Sequence, residues 1–302
     1  MTLDPQIAEL IEALDSGFPP VHTMTGAQAR ATIRSRFVAP AQPEAVESVE
    51  NVTIPGGVPV RVYRPASDVA LPVVVYAHGG GFVFCDLDSH DGLCRNLANL
   101  SSAIVISVDY RLAPENAWPA AAEDMYAATC WAAEHTGELG GDPGRLAVAG
   151  DSAGGNLAAV TTLMARDRSG PALSAQLLIY PMIAADLETE SYRLYGKGFY
   201  NPRPALQWYW NQYVPSPADR THPYASPLQA GLDGLPPAVV VIAGHDPLRD
   251  EGVAYADALE SAGVPVARCT FDGGIHGFMT MPMLDIAHEA RRQASQELAK
   301  LL

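Results

Sequence analysis

Five short apolar runs, broken only by Ser107, constrain this chain more than any other feature of its sequence. They are Val73-Val74-Val75-Tyr76-Ala77, Ala103 to Val108, Leu146-Ala147-Val148-Ala149, Leu177-Leu178-Ile179-Tyr180 and Ala238-Val239-Val240-Val241-Ile242. Each is too short for a core helix, and most are rich in β-branched residues. Strands covered on both faces have this composition. The intervening segments are long enough for helices, with candidates at residues 90–100, 117–135, 153–167 and 250–262. Strand and helix alternating at this pitch predict an α/β architecture, a mostly parallel sheet with helices on both faces. In such sheets a ligand site lies beyond the carboxyl ends of the strands. His78 follows the run ending at Ala77, Ser152 the run ending at Ala149, and Asp246 the run ending at Ala243. Three polar signals therefore fall where a site would form.

Other elements surround this frame. Residues 4–15 and 26–38 carry apolar positions at helical spacing, for example Ile7, Leu10, Ile11 and Leu14. A stretch around Pro40 and Pro43 separates them from two alternating segments, Val49 to Ile54 and Val58 to Tyr63, joined at Gly56-Gly57 as an antiparallel hairpin. Val264 to Phe271 is a further apolar segment. Residues 184–225 break the alternation: they hold no strand-like run and include Trp208-Tyr209-Trp210 and Tyr213. This segment leaves the frame just after Tyr180-Pro181, beside the expected site, and reads as an inserted cap segment. The expected organisation is therefore 1–45 as N-terminal helices forming part of the cap, 46–183 with 226–302 as the core, and 184–225 as the insertion.

Composition narrows the classes. With 302 residues, 48% hydrophobic and 18% charged, the chain has ample material for a large buried core, so disordered and fibrous readings fail. The net charge of −15, from 19 basic and 34 acidic residues, repels phosphate backbones and anionic lipid, and no basic cluster offsets it. Nucleic acid and membrane are both excluded as expected partners. Met1-Thr2-Leu3-Asp4-Pro5 does not open a signal peptide, and no stretch of eighteen apolar residues occurs. Cys85, Cys94, Cys130 and Cys269 have no metal-binding spacing and read as buried thiols in a reducing compartment, which makes a cytoplasmic location the expectation.

Two motifs name a chemistry. Gly150-Asp151-Ser152-Ala153-Gly154 has the form of a sharp strand-to-helix turn that lifts a serine above the sheet, its glycines sparing a clash. His78-Gly79-Gly80-Gly81 supplies bare backbone N–H groups of the kind that hold an oxyanion. A serine hydroxyl needs a base, and the base needs a carboxylate. Of eight histidines, His276 in Gly273-Gly274-Ile275-His276-Gly277-Phe278 is the candidate base. His22, His135, His222 and His288 have no strand-end context and are expected to be solvated. His90, in Asp88-Ser89-His90-Asp91, is read as part of a helix N-cap, and His245 is a rival base. Asp246 is the candidate acid. Asp250 is its rival, with helix capping or pairing to Arg249 as its other use. Asp151 is given a structural hydrogen-bonding role. The expected oxyanion donors are the N–H groups of Ala153, Gly80 and Gly81, with Gly79 left open, and His78 is expected to brace their loop. No cofactor and no metal are called for.

His78-Gly79-Gly80-Gly81-Phe82, Asp109 to Glu115, Gly150 to Gly155, Asp246-Pro247-Leu248-Arg249-Asp250 and Gly274 to Phe278 together resemble the hormone-sensitive-lipase-like esterases. The resemblance runs from about residue 50 to the end of the sequence. It implies an eight-stranded α/β-hydrolase core with a helical cap. The implied activity is serine carboxylesterase hydrolysis of short- to medium-chain esters through an acyl-enzyme, in the chain order Ser, Asp, His. It also implies a structural role for Tyr110 to Glu115 and a homodimer through an edge strand. The same triad would serve an amidase or lactonase, and the same fold can carry a non-catalytic small-molecule binding protein. An interfacial lipase is disfavoured, since no large apolar surface helix is evident.

Overall fold

A computed structural model describes residues 2–302. Its strands are β1 (Ser48–Thr53), β2 (Pro59–Arg64), β3 (Leu71–Ala77), β4 (Ile104–Val108), β5 (Gly141–Asp151), β6 (Ala175–Ile179), β7 (Ala238–His245) and β8 (Val266–Ile275). They form one eight-stranded sheet in the order β1-β2-β4-β3-β5-β6-β7-β8. The expected hairpin supplies β1 and β2, which pair antiparallel, and β2 runs antiparallel to β4. Every other pairing is parallel. The apolar runs became β3 to β7, and all residues of β3, β4, β6 and β7 are buried.

The helices are α1 (Pro5–Gly17), α2 (Gly26–Arg34), α3 (Asp91–Ser101), α4 (Ala120–His135), α5 (Ala153–Asp167), α6 (Glu190–Tyr195), α7 (Arg203–Tyr213), α8 (Arg249–Ser261) and α9 (Asp285–Ala299). Strand residues alternate between two cores. Val73, Val75 and Ala77 pack with Met125 of α4, Leu157 of α5 and Leu259 of α8. Val74 and Tyr76 pack with Leu93 and Leu97 of α3 and Ala287, Ala290 and Ala294 of α9. Both faces of the sheet are thus covered, which is why its strands are apolar on both sides, with Ser107 and Gln176 as buried polar exceptions in β4 and β6.

Two helices depart from expectation. The second ends at Arg34, not near residue 38: the chain leaves it through tighter bonds, Arg36 N–H to Ile33 O and Phe37 N–H to Arg34 O, and Phe37 and Val38 stay exposed. Helix α9 is not among the expected helices, although Ala287, Ala290, Ala294 and Leu298 recur at helical spacing on its buried face. Residues 184–225 hold α6 and α7 and no strand. This segment meets the N-terminal residues: the Tyr200 N–H donates to Asp15 Oδ1 at 3.1 Å, and Phe18 lies edge-on to the Tyr200 ring at 5.2 Å.

Candidate active site

Strand β5 ends at Asp151 and α5 begins at Ala153, so Ser152 alone makes the turn. It does so at φ 55° and ψ −118°, a conformation that costs a non-glycine residue of order 1–3 kcal/mol. Two glycines permit the close packing. A Cβ on Gly150 would strike the main chain of Gly154, and one on Gly154 would strike the carbonyls of Ala77 and His78. Main-chain bonds then fix the turn: the Ser152 N–H donates to Ile179 O at 2.8 Å, and the Met182 N–H donates to Ser152 O at 3.0 Å.

Three of the expected residues meet there. Ser152 Oγ is 2.9 Å from His276 Nε2, and His276 Nδ1 is 2.8 Å from Asp246 Oδ2. The carboxylate fixes the tautomer: Nδ1–H donates to Asp246, which leaves Nε2 to accept the serine proton. The other oxygen of Asp246 accepts the Leu248 N–H at 2.8 Å, and Asp246 is fully buried. The Tyr180 ring packs 5.0 Å from that of His276. Ser152 and His276 are 7% and 6% exposed, so both side chains are almost wholly covered.

Gly80 and Gly81 follow β3 with φ of 107° and 58°. Among the described residues no acceptor takes their N–H groups. Ala153 is the first residue of α5, where an N–H has no acceptor within the helix. The Gly79 N–H, by contrast, is occupied, donating to Asp151 Oδ1 at 2.8 Å. This removes Gly79 from the donors that the sequence left open. The Tyr209 ring of α7 lies directly against Gly81, where a Cβ would have no room.

Behind the serine lies a buried polar cluster centred on Asp151. Its carboxylate accepts the Tyr76 O–H at 2.5 Å as well as the Gly79 N–H. His90 Nε2 lies 3.3 and 3.4 Å from its two oxygens. Burial would raise the pKa of Asp151, but the His90 imidazole and the Tyr76 hydroxyl outweigh it and hold the carboxyl below its ordinary range. The expectation for His90 is corrected here. It stands at the N-cap position of α3 but makes no side-chain capping bond. Its ring is buried and turns inward to Asp151 and to Ser89 Oγ at 3.0 Å, since a buried carboxylate is a stronger partner than a helix-end amide.

His78 donates from Nδ1 to Gly79 O at 2.7 Å and stacks on Tyr110 at 4.3 Å. Burial and the neighbouring His90 lower its pKa to about 4, so it is neutral near pH 7. The Tyr110 hydroxyl donates to His78 O at 2.7 Å, the Ala113 N–H donates to Phe82 O at 2.9 Å, and Arg111 pairs with Asp124 of α4 at 2.8 Å. The 110–115 stretch thus ties the glycine loop to its neighbours.

The remaining candidates lie elsewhere. Asp250 accepts the Ser191 N–H at 2.8 Å and pairs with Arg249 at 2.8 Å, away from His276. His245 is 2.9 Å from Asp272 O through Nδ1 and stacks on Phe199. His22, His222 and His288 are exposed, but His135 is half-buried, with Nδ1 2.9 Å from Trp131 O. Cys94 and Cys269 are buried, whereas Cys85 and Cys130 are only half-buried because loop and helix-surface positions leave them partly uncovered; all four are free. Sequence reasoning also missed Tyr76. Its signal was a lone hydroxyl within an apolar strand, which must find a buried partner.

Comparison with known proteins agrees with this geometry. The model of the alpha/beta hydrolase fold family matches residues 74–280. The carboxylic ester hydrolase LipN of Mycobacterium tuberculosis is 44% identical over 262 residues, which is 83% of this chain and 70% of that protein. An ethyl acetate hydrolase of Pseudomonas putida is 38% identical over 93% of both chains. A hyperthermophilic esterase of the archaeon Pyrobaculum calidifontis superposes with a TM-score of 0.91 at 42% identity, covering 100% of this chain and 99% of the other. The chain belongs to the α/β-hydrolase fold family, within its hormone-sensitive-lipase-like branch.

Proposed function

We propose that this protein is a serine carboxylesterase that hydrolyses short- to medium-chain carboxylic esters through an acyl-enzyme. The hydrogen-bonded chain Ser152–His276–Asp246 carries the reading. Ser152 Oγ attacks the ester carbonyl while His276 Nε2 takes its proton, and Asp246 holds the resulting imidazolium. The carbonyl oxygen, now an anion, sits among the Gly80, Gly81 and Ala153 amides. Each such preorganised donor is worth about 3 kcal/mol of barrier, since the charge it meets develops only in the transition state. His276 then returns the proton to the leaving alcohol. A water, deprotonated by the same imidazole, attacks the acyl carbon and the acid departs, restoring Ser152. Every step is assigned to a side chain or amide of this chain.

The N-terminal helices and residues 184–225 act as the cap in this reading, supported by the Asp15–Tyr200 bond between them and by Tyr209 lying over Gly81. The relatives called carboxylic ester hydrolase and ethyl acetate hydrolase support an ester of modest size as substrate. Four free cysteines support a reducing, cytoplasmic setting. No helix among the described residues is long and apolar enough to cross a membrane. Strands β1 and β8 each leave one edge unpaired, and such an edge is where a homodimer would join.

Hydrolysis of p-nitrophenyl esters from acetate to palmitate, with Ser152→Ala in parallel, tests the proposal. Turnover favouring the shorter chains and abolished in the folded variant is expected. A folded Ser152→Ala protein that keeps its activity refutes the mechanism. Fluorophosphonate labelling of the wild type without turnover of any ester would redirect the reading to amides or lactones.

A further inference from the structure

The inserted segment does more than lie near the site, because it holds both chain neighbours of the triad acid. On the Pro247 side, the Ser191 O–H of α6 donates to Pro247 O at 2.6 Å. The Ser191 N–H donates to Asp250 Oδ2 at 2.8 Å, and the Asp250 N–H returns to Ser191 Oγ at 3.3 Å. Thr189 Oγ1 lies 3.1 Å from the same oxygen. A serine hydroxyl has one proton and two lone pairs, and here all three are engaged. Ser191 is fully buried. On the His245 side, the imidazole is stacked on Phe199 at 5.7 Å and met edge-on by Tyr195 at 5.2 Å. The Arg249 guanidinium lies over the same Tyr195 ring at 5.2 Å, with its charge paired to Asp250. One turn further on, Glu251 Oε2 accepts the Ala184 N–H at 3.2 Å, where the insertion leaves the core. Residues 245–251 are therefore stapled to the insertion at several points, and Asp246 sits in the middle of them.

We propose that Ser191 is a positioning residue for the reaction: through the Pro247 carbonyl, the inserted segment sets where the Asp246 carboxylate lies against His276. The proposal rests on the triad reading given above. Asp246 has one covalent neighbour at each end and one amide, that of Leu248, on its own oxygen. If the Pro247 carbonyl is released, the 246–248 turn can relax and the 2.8 Å bond to His276 Nδ1 lengthens. The segment that covers the substrate and the carboxylate that supports the base then behave as one body. Displacements of 1 Å at such a group are enough to cost about 100-fold in rate.

The test compares Ser191→Ala with Asp246→Asn as benchmark and Arg193→Ala, an exposed position on the same helix, as control. The readouts are kcat, KM and the pH profile of kcat/KM on a p-nitrophenyl ester. For Ser191→Ala we expect kcat to fall about 10-fold with KM little changed. The acid limb should move to lower pH, because the imidazolium loses part of its carboxylate support. Asp246→Asn should move the limb the same way and further, and Arg193→Ala should match the wild type. If Ser191→Ala does not fold, Ser191→Cys, which fills nearly the same space but is only a weak donor to the Pro247 carbonyl, should give the same displacement. Either variant folding with an unmoved acid limb overturns the proposal, whatever its kcat, since a merely loosened fold would lower the rate without that shift. A fully active Asp246→Asn would instead bring down the triad reading, and the brace with it.

Discussion

Asp151 is the residue whose removal should expose how the nucleophile and the oxyanion loop are kept in register. Its carboxylate is 3% exposed and takes the Tyr76 hydroxyl, the Gly79 amide and the His90 ring. Asp151→Ala would leave the Tyr76 hydroxyl, the Gly79 amide and His90 Nε2 without a partner in the interior. Each stranded buried group costs about 1–3 kcal/mol, so the sum is about 5 kcal/mol, among the largest effects a single substitution produces. At about 2 °C per kcal/mol for a chain of this size, Tm should fall by about 10 °C. Turnover should suffer separately. The loop carrying Gly80 and Gly81 loses its tether at Gly79, and losing one oxyanion donor costs about 100-fold in kcat. Asp151→Asn keeps the shape and one acceptor oxygen and should cost less, about 1–2 kcal/mol. That smaller difference should depend on pH. A carboxyl whose folded-state pKa is depressed stabilises the fold above its unfolded value of about 3.9, and the contribution is lost as pH falls through the folded value. Calorimetry from pH 7 downward should therefore show the gap between wild type and Asp151→Asn closing below about pH 4. Paired with kcat on a p-nitrophenyl ester at pH 7, this decides the matter. Wild-type Tm and kcat in Asp151→Ala, or a gap that widens on acidification, would refute the reasoning.

Two further outcomes follow from buried strain and buried charge. Ser152 holds a positive φ, so Ser152→Gly should unfold at a higher temperature than Ser152→Ala, by about 1 kcal/mol of relieved strain, as read by thermal unfolding. Glu251 is buried, and burial drives its pKa well above the usual carboxylate range despite the amides of Ala184 and Ile183. An acid raised in this way weakens the fold as pH climbs above its unfolded value of about 4.3. Glu251→Gln should therefore gain stability relative to wild type as pH rises above about 5, measured as a growing difference in Tm.

The elements that sequence reasoning located best were those whose burial leaves an unambiguous pattern. The β3 run is apolar because helices cover both of its faces, and α5 occupies the expected residues 153–167 because an apolar, glycine-opened stretch directly follows the turn. The strand-end positions of Ser152 and Asp246 were legible for the same reason. Helix α9 was overlooked although Ala287, Ala290, Ala294 and Leu298 recur at helical spacing, because no glycine-opened turn or apolar strand run marks where it starts. His90 was misread because its local sequence carries a capping signal, while its partner Asp151 is distant in the chain and only the parallel pairing of β3 with β5 brings the two motifs together. Ser191 was invisible on the same ground. A lone serine on a short helix has no local signature, and its meaning comes from Pro247 and Asp250 on another element.

The main-chain contact between the start of α5 and the end of β3 has a consequence for anyone who would remodel this protein. Where Gly150, Gly154 and Ala77 touch backbone to backbone, no side chain fits, so the reactive geometry is closed to stepwise laboratory evolution. Variation that alters which molecules are accepted has to enter elsewhere. The insertion is divided in this respect: Ser191, Tyr195 and Phe199 are committed to the 245–251 loop, whereas the Tyr209 side of α7 faces the glycine loop and is attached to no part of the triad. A library confined to that side would leave the 245–251 loop and its hold on Asp246 untouched, and only the packing of Tyr209 on Gly81 would have to be kept.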